Sequence, residues 1–289
     1  MNRGAGRFAP SPTGPLHLGS LLAATASYLD ARSHDVAWLI RFDDLDAPRN
    51  QPGAEDLILR ALEAHGLRWD ASIIRQSENV DAYEAALTEL ADRGLLFYCN
   101  CSRRSVAQKP VYPGTCRHRK LVTADCAVRI LVDDAVAEFN DMVRGFQQEA
   151  LARTSGDFIV RRRDGIIAYQ LATAVDDGAP EIGRVIRGND LLGTTGRQTF
   201  LMSKLGLQPP LYGHIPVLVN AAGQKLSKQS HAEPLGAEEP EANVRHVLSY
   251  LGLPEDKEST GCGCEAVLER ATESWSLARL PDTEAIEIP

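Results

Sequence analysis

Arg7-Phe8-Ala9-Pro10-Ser11-Pro12-Thr13-Gly14-Pro15-Leu16-His17-Leu18-Gly19-Ser20 is the stretch from which the rest of the chain is read. Arg7, Phe8 and Ala9 predict a short strand, the Pro/Gly run after them a turn, and residues 18–32 a helix. A helix N-terminus carries unpaired N–H groups and a partial positive charge, so this turn suits a polyphosphate. Gly19 has no side chain to block a nucleotide base, and His17 can donate a hydrogen bond to phosphate oxygens as charge shifts onto a leaving group. No G-x-x-x-x-G-K-[ST] run occurs in the chain, so any use of ATP rests on something other than a P-loop.

Working outward, strand-like and helical runs alternate. Residues 36–42 read as a buried strand, 54–65 as a helix, 73–75 as a third strand and 80–94 as a long helix. Such alternation implies parallel βαβ units with helices on both faces. Residues 97–158 break the pattern with a Cys-, Pro- and Arg-rich stretch and read as an insertion between two halves of an α/β sheet. Alternation resumes over 166–175, with a strand at 184–188, a helix over 191–205 and one strand over 211–219. A turn at Asn220-Ala221-Ala222-Gly223 follows. Two helices are expected near 242–251 and 265–277. The organisation expected is 1–96 and 159–236 as the halves of a catalytic domain, 97–158 as the insertion and 237–289 as a short helical C-terminal region.

With 289 residues, 44% hydrophobic and 24% charged, the composition is that of a folded globular protein. No apolar run is long enough to cross a membrane, and Met1-Asn2-Arg3-Gly4-Ala5-Gly6 has no signal core, so a cytoplasmic location is expected. A net charge of -8 argues against coating nucleic acid by charge alone. It leaves room for local basic surfaces, such as Arg103, Arg104, Lys109, Arg117, Arg119 and Lys120, or Arg161-Arg162-Arg163, to meet phosphates. Ordinary solvated charges explain either cluster equally well.

The second informative stretch is Lys225-Leu226-Ser227-Lys228-Gln229. Two lysines in a loop can close over a triphosphate and neutralise charge on departing pyrophosphate. Either motif alone is commonplace; both in this order across a split α/β sheet are not. With Arg41-Phe42-Asp43-Asp44-Leu45-Asp46, Tyr169-Gln170-Leu171-Ala172 and Arg187-Gly188-Asn189-Asp190, they make the chain resemble the class I aminoacyl-tRNA synthetases over residues 5–235. The likeness is to the glutamyl branch, and most closely to its truncated glutamyl-queuosine tRNA(Asp) synthetases.

The resemblance implies a class I Rossmann fold, a parallel sheet with helices on both faces, split by a zinc-binding insertion. It implies ATP, entering with Mg2+, held by His17, Gly19, Ser20, Lys225, Ser227 and Lys228, with His17 and Lys228 catalytic. It implies a glutamate pocket of Arg7, Phe8, Ala9, Pro10, Ser11, Asp43, Tyr169 and Arg187. There Arg7 and Arg187 grip the side-chain carboxylate, Arg187 in bidentate fashion if geometry allows. Ser11 hydrogen-bonds the substrate, Asp43 holds the ammonium and Tyr169 lines the pocket. Asp43 stands where the family more often has Glu. Asp44, Asp46 and Arg49 read more readily as a structural network than as substrate contacts.

Cys99, Cys101, Cys116 and Cys126 cluster in the insertion, whereas Cys262 and Cys264 lack nearby partners. In a reducing compartment such spacing favours a metal or free thiols. Zinc wants four tetrahedral ligands. Generic chemistry leaves His118 or Cys126 as the fourth; the resembling family's Cys-x-Cys…Tyr-x-x-x-Cys pattern implies Tyr112 beside Cys99, Cys101 and Cys116, and one structural Zn2+.

Only residues 230–289 follow Gln229, too few for a large anticodon-binding region as well. The expected reaction is activation of L-glutamate by ATP and transfer to the queuosine base of tRNA(Asp), an exposed loop base of the kind proteins read specifically, by a monomer. The alternatives are a conventional glutamyl-tRNA synthetase core with a separate anticodon-binding partner, a non-catalytic sensor, and a zinc-dependent RNA-binding module.

Overall fold

The computed structural model describes residues 4–106, 111–122, 125–226, 235, 239–254 and 261–288. The chain runs β1 (Ala5–Phe8), α1 (Leu18–Ser33), β2 (Trp38–Phe42), α2 (Ala54–Ala64), β3 (Ile74–Arg75), α3 (Val80–Asp92), β4 (Leu96–Cys99) and α4 (Arg103–Val106). It continues through β5 (Ala127–Ile130), β6 (Val136–Asp141), β7 (Gly145–Ala150), α5 (Leu151–Thr154), β8 (Ile159–Arg161), α6 (Tyr169–Asp177) and β9 (Ile182–Gly188). Then come α7 (Leu192–Lys204), β10 (Leu211–Ile215), β11 (Val217–Val219), α8 (Pro240–Tyr250), α9 (Cys264–Ser274) and β12 (Ala285–Glu287).

The main sheet has seven strands in the order β3-β2-β1-β9-β10-β6-β7. All neighbours are parallel except the β6–β7 hairpin, so the expected α/β architecture is present with one antiparallel edge strand. β1 lies inside the sheet, between β2 and β9, and Gly4 just before it faces Gly183. A Cβ on Gly4 would come within 2.5 Å of the Gly183 nitrogen, so two glycines permit this close approach of β1 and β9. α1 buries Leu21, Leu22, Ala24, Ala26 and Leu29 and packs against β1, β9, α8 and α9. Covered from several directions, it carries apolar residues around most of its circumference.

Three features depart from the sequence reading. The single strand expected over 211–219 is two: Pro216, which has no N–H to donate to a ladder, separates β10 in the main sheet from β11. β11 pairs in parallel with β12, so the C-terminal region is not purely helical. The expected insertion does not stand by itself: β4 and β5 join β8, just beyond it, in a separate antiparallel sheet, whereas β6 and β7 extend the main sheet through Tyr212 opposite Asp141. Among the described residues no helix is long and apolar enough to cross a membrane.

Candidate active site

A cavity of about 360 Å³ opens at the C-terminal ends of β1, β9 and β10. β1 has β2 on one side and β9 on the other, so the opening coincides with the switch point where α/β sheets admit ligands. Arg7, Phe8, Ala9, Pro10 and Ser11 line it from β1 and the turn beyond; His17, Gly19 and Ser20 from the start of α1; Asp43 after β2; Tyr169 at the start of α6; Arg187 on β9; and Lys225 beyond β11. Every described residue expected at an ATP or glutamate site is therefore in one place. Ser227 and Lys228 lie outside the described residues.

His17 caps α1. The Ser20 backbone N–H donates to Nδ1 at 3.2 Å, and Ser20 Oγ lies 3.0 Å from Nε2. With Nδ1 accepting, a neutral ring carries its proton on Nε2, the hydrogen-bonding face suited to a phosphate oxygen. A Cβ on Gly19 would sit 3.2 Å from the His17 ring and 3.6 Å from the Leu226 carbonyl, so glycine here lets the helix start and the lysine segment lie close together. That segment returns against β11: Gly223, at φ +71°, closes the Asn220 turn, and Leu226 N–H donates to Leu218. Lys225 Nζ then pairs with Asp190 Oδ2 at 2.5 Å.

The other end of the cavity is built on buried charge. Asp177, closing α6, accepts from Arg7 Nε at 3.0 Å and Nη2 at 2.5 Å, and from Arg41 Nη1 at 2.6 Å. Burial opposes ionisation of Asp177, but the Arg7 and Arg41 guanidiniums outweigh it and hold the carboxyl well below the usual range. Asp43 spends Oδ1 on Arg41 Nε at 2.8 Å; burial pushes this carboxyl up, with Arg41 opposing. Asp44 bonds the Ser77 backbone N–H and hydroxyl, and Asp46 pairs with Arg162. Each is thus engaged with another segment of the chain, Asp46 by an ion pair and Asp44 by hydrogen bonds. Arg49 lines the cavity.

A side-on bidentate grip by Arg187 is not open. Its Nε donates to His214 Nε2 at 3.0 Å, and Nη2 donates to Thr195 Oγ1 and Gln198 Oε1, both at 2.8 Å. Nη1 alone has no hydrogen-bond partner, and it is buried.

Away from the cavity, the ligand sulfurs of Cys99, Cys101 and Cys116 lie within 4.8 Å of one another. Tyr112 Oη is 3.4 Å from Cys99 Sγ and accepts from the Cys116 N–H at 2.9 Å. Burial raises the Cys99 thiol, but the Tyr112 hydroxyl, the Cys101 backbone and Arg129 outweigh it and bring it to about 7. An easily ionised thiol among two others, with a phenol adjoining, is a donor set that fits zinc. His118 is exposed, and neither it nor Cys126 belongs to the group.

Sequence reasoning passed over Asp177, Asp141, His214, Thr195 and Gln198. They sit inside a strand or helix, or at its C-terminal end, where polar residues carry no local signature. The signal that could have found Arg41 and Asp177 was sign: Arg7 and Arg41 both fall in buried strands, and a buried cation requires an anion.

Residues 5–243 match the family described as tRNA synthetases class I (E and Q), catalytic domain. A protein from Thiobacillus denitrificans named glutamyl-Q tRNA(Asp) synthetase is 45% identical, covering 98% of this chain and 97% of that protein. One of the same name from Cronobacter sakazakii is 43% identical over 97% and 94%. Among solved structures, a glutamate tRNA ligase from Elizabethkingia meningosepticum superposes with a TM-score of 0.80 at 24% identity, covering 97% of this chain and 66% of that one. This last likeness is one of fold.

Proposed function

Because the chain belongs to the class I tRNA synthetases (E and Q) and is a ligase of that type, we propose that it activates L-glutamate with ATP and transfers it to the queuosine base of tRNA(Asp). The observation that carries this reading is the polarity of one cavity. Arg7, Arg187 and Asp43 occupy one end, complementary to two carboxylates and an ammonium; the α1 N-terminus with His17, Gly19 and Lys225 occupies the other. Near-full-length similarity to proteins named for the queuosine reaction supports that acceptor.

In the first step a glutamate carboxylate oxygen attacks the α-phosphorus of ATP, entering with Mg2+, and the bond to pyrophosphate breaks. His17 and Lys228 stabilise charge on the departing group, and α1 orients the phosphates. In the second step a queuosine hydroxyl attacks the glutamyl carbonyl, losing its proton as AMP leaves. Cys99, Cys101, Cys116 and Tyr112 would hold one Zn2+, which would tie the end of β4 to the loop around Cys116.

ATP–pyrophosphate exchange with a panel of amino acids and no RNA tests this reading. Exchange with glutamate alone, followed by transfer to queuosine-containing tRNA(Asp), is expected. Exchange only upon addition of tRNA(Glu) would replace the reading with a conventional synthetase core, and silence under both conditions with a binding protein.

A further inference from the structure

Three of the five N–H donors of Arg187 are taken by neutral acceptors, and one of these acceptors is itself held. His214 lies beside Arg187 in the β9–β10 register and is fully buried. Its Nδ1 is 2.6 Å from Asp141 Oδ2, while Asp141 Oδ1 accepts backbone N–H bonds from Val143, Arg144 and His214 itself. A guanidinium can only donate, so His214 Nε2 must carry a lone pair and Nδ1 must carry the proton given to Asp141. The charged groups bearing on the ring are Asp141, Arg187 and Arg7; burial and the two cations keep it neutral against the pull of Asp141.

We propose that Asp141 and His214 form a relay that locks the Arg187 guanidinium so that only Nη1 remains for the side-chain carboxylate of the amino-acid substrate, making both positioning residues for glutamate recognition. The glutamate half of this assignment rests on the function proposed above; the relay itself does not. An unpaired, buried guanidinium N–H is costly, and the group that satisfies it best is an anionic oxygen. A substrate with a side-chain amide presents a neutral oxygen and cannot neutralise the charge. A fixed Arg187 thereby discriminates glutamate from glutamine, whereas a swivelling one could turn another face to the ligand. Asp141 ends β6, within the segment 97–158, so that segment contributes to the pocket indirectly through the sheet.

Two measurements decide it. The ¹⁵N shifts of His214 in the substrate-free protein should show the neutral Nδ1–H tautomer at pH 7, lost in Asp141→Asn; an Nε2–H tautomer or an imidazolium would overturn the relay. In exchange kinetics, His214→Leu should raise KM for glutamate at least tenfold with KM for ATP changed less than twofold. His214→Gln, whose amide oxygen can accept from Arg187 Nε, should recover to within about threefold of wild type. Joint movement of both KM values, or no change in KM for glutamate in a folded variant, would overturn the positioning role. A wild-type protein that exchanges with no amino acid would sink the functional reading and the glutamate assignment together, while the tautomer still judges the relay.

Discussion

Arg7 and Asp177 stand 170 positions apart and meet side-on, Nε on one carboxylate oxygen and Nη2 on the other. The same carboxylate takes Arg41 Nη1, so one buried anion fixes a cation on each of two central strands. Asp177→Asn leaves two buried guanidiniums short of charge and is expected to cost about 3–5 kcal/mol. Urea denaturation checks it: an unchanged midpoint would show that Asp177 does not hold the pair.

Acid should weaken the fold in two stages. Burial, with Arg187 adding to it, keeps the folded His214 below the ordinary histidine range although Asp141 opposes. The unfolded chain thus binds a proton the folded chain refuses, and stability falls as pH drops below about 6.5. Asp141 and Asp177 are depressed despite burial, the first by His214 and backbone N–H groups, the second by Arg7 and Arg41. Their contribution is complete above about pH 4 and is lost below it. Melting temperatures from pH 8 to 3 should fall in that order; His214→Gln should shrink the upper step to the part left by His65, which burial also holds below its ordinary range against a bond to the Ala61 carbonyl.

Purified protein is expected to carry about one equivalent of zinc, matching a single four-ligand site. Cys101→Ser should reduce it to under about a tenth, whereas Cys262→Ser, exposed and outside the sulfur group, should not. Metal analysis of the three proteins decides it. Equal zinc in all three would place the ion elsewhere.

Lys228→Ala is expected to slow glutamate-dependent exchange at least about a hundredfold, the equivalent of about 3 kcal/mol of charge stabilisation in the transition state. Asp190→Asn, which removes a partly exposed partner of Lys225, should shift stability by no more than about 1 kcal/mol. An unchanged exchange rate in the lysine variant would remove Lys228 from the chemistry.

The parts legible in the sequence were those written locally. The α1 start is announced by Pro15, His17 and Gly19, and the turn before the lysines by Asn220 and Gly223. Both stand where they were expected because turn and cap preferences act within a few residues. The division at Pro216 was equally local and could have been read from the missing donor. The pairing of Arg7 with Asp177, of Val217–Val219 with Ala285–Glu287, and of Asp141 with His214 depends on tertiary proximity between distant segments. Hydrophobic periodicity cannot report such partners, since a buried carboxylate in a helix looks like any other until its cation is known.

The placement of Ala5–Phe8 between Trp38–Phe42 and Ile182–Gly188 has a kinetic meaning. One neighbour of the central strand is reached by a short loop closure, the other only after most of the chain has been gathered in. Closure entropy must be met before that second contact is made, which makes it a late event in folding. The cavity straddles this seam, so no partially folded chain lacking β9 possesses it. A small molecule that binds there selects the complete topology and slows its global opening, and its affinity reads out how much of the population has finished folding.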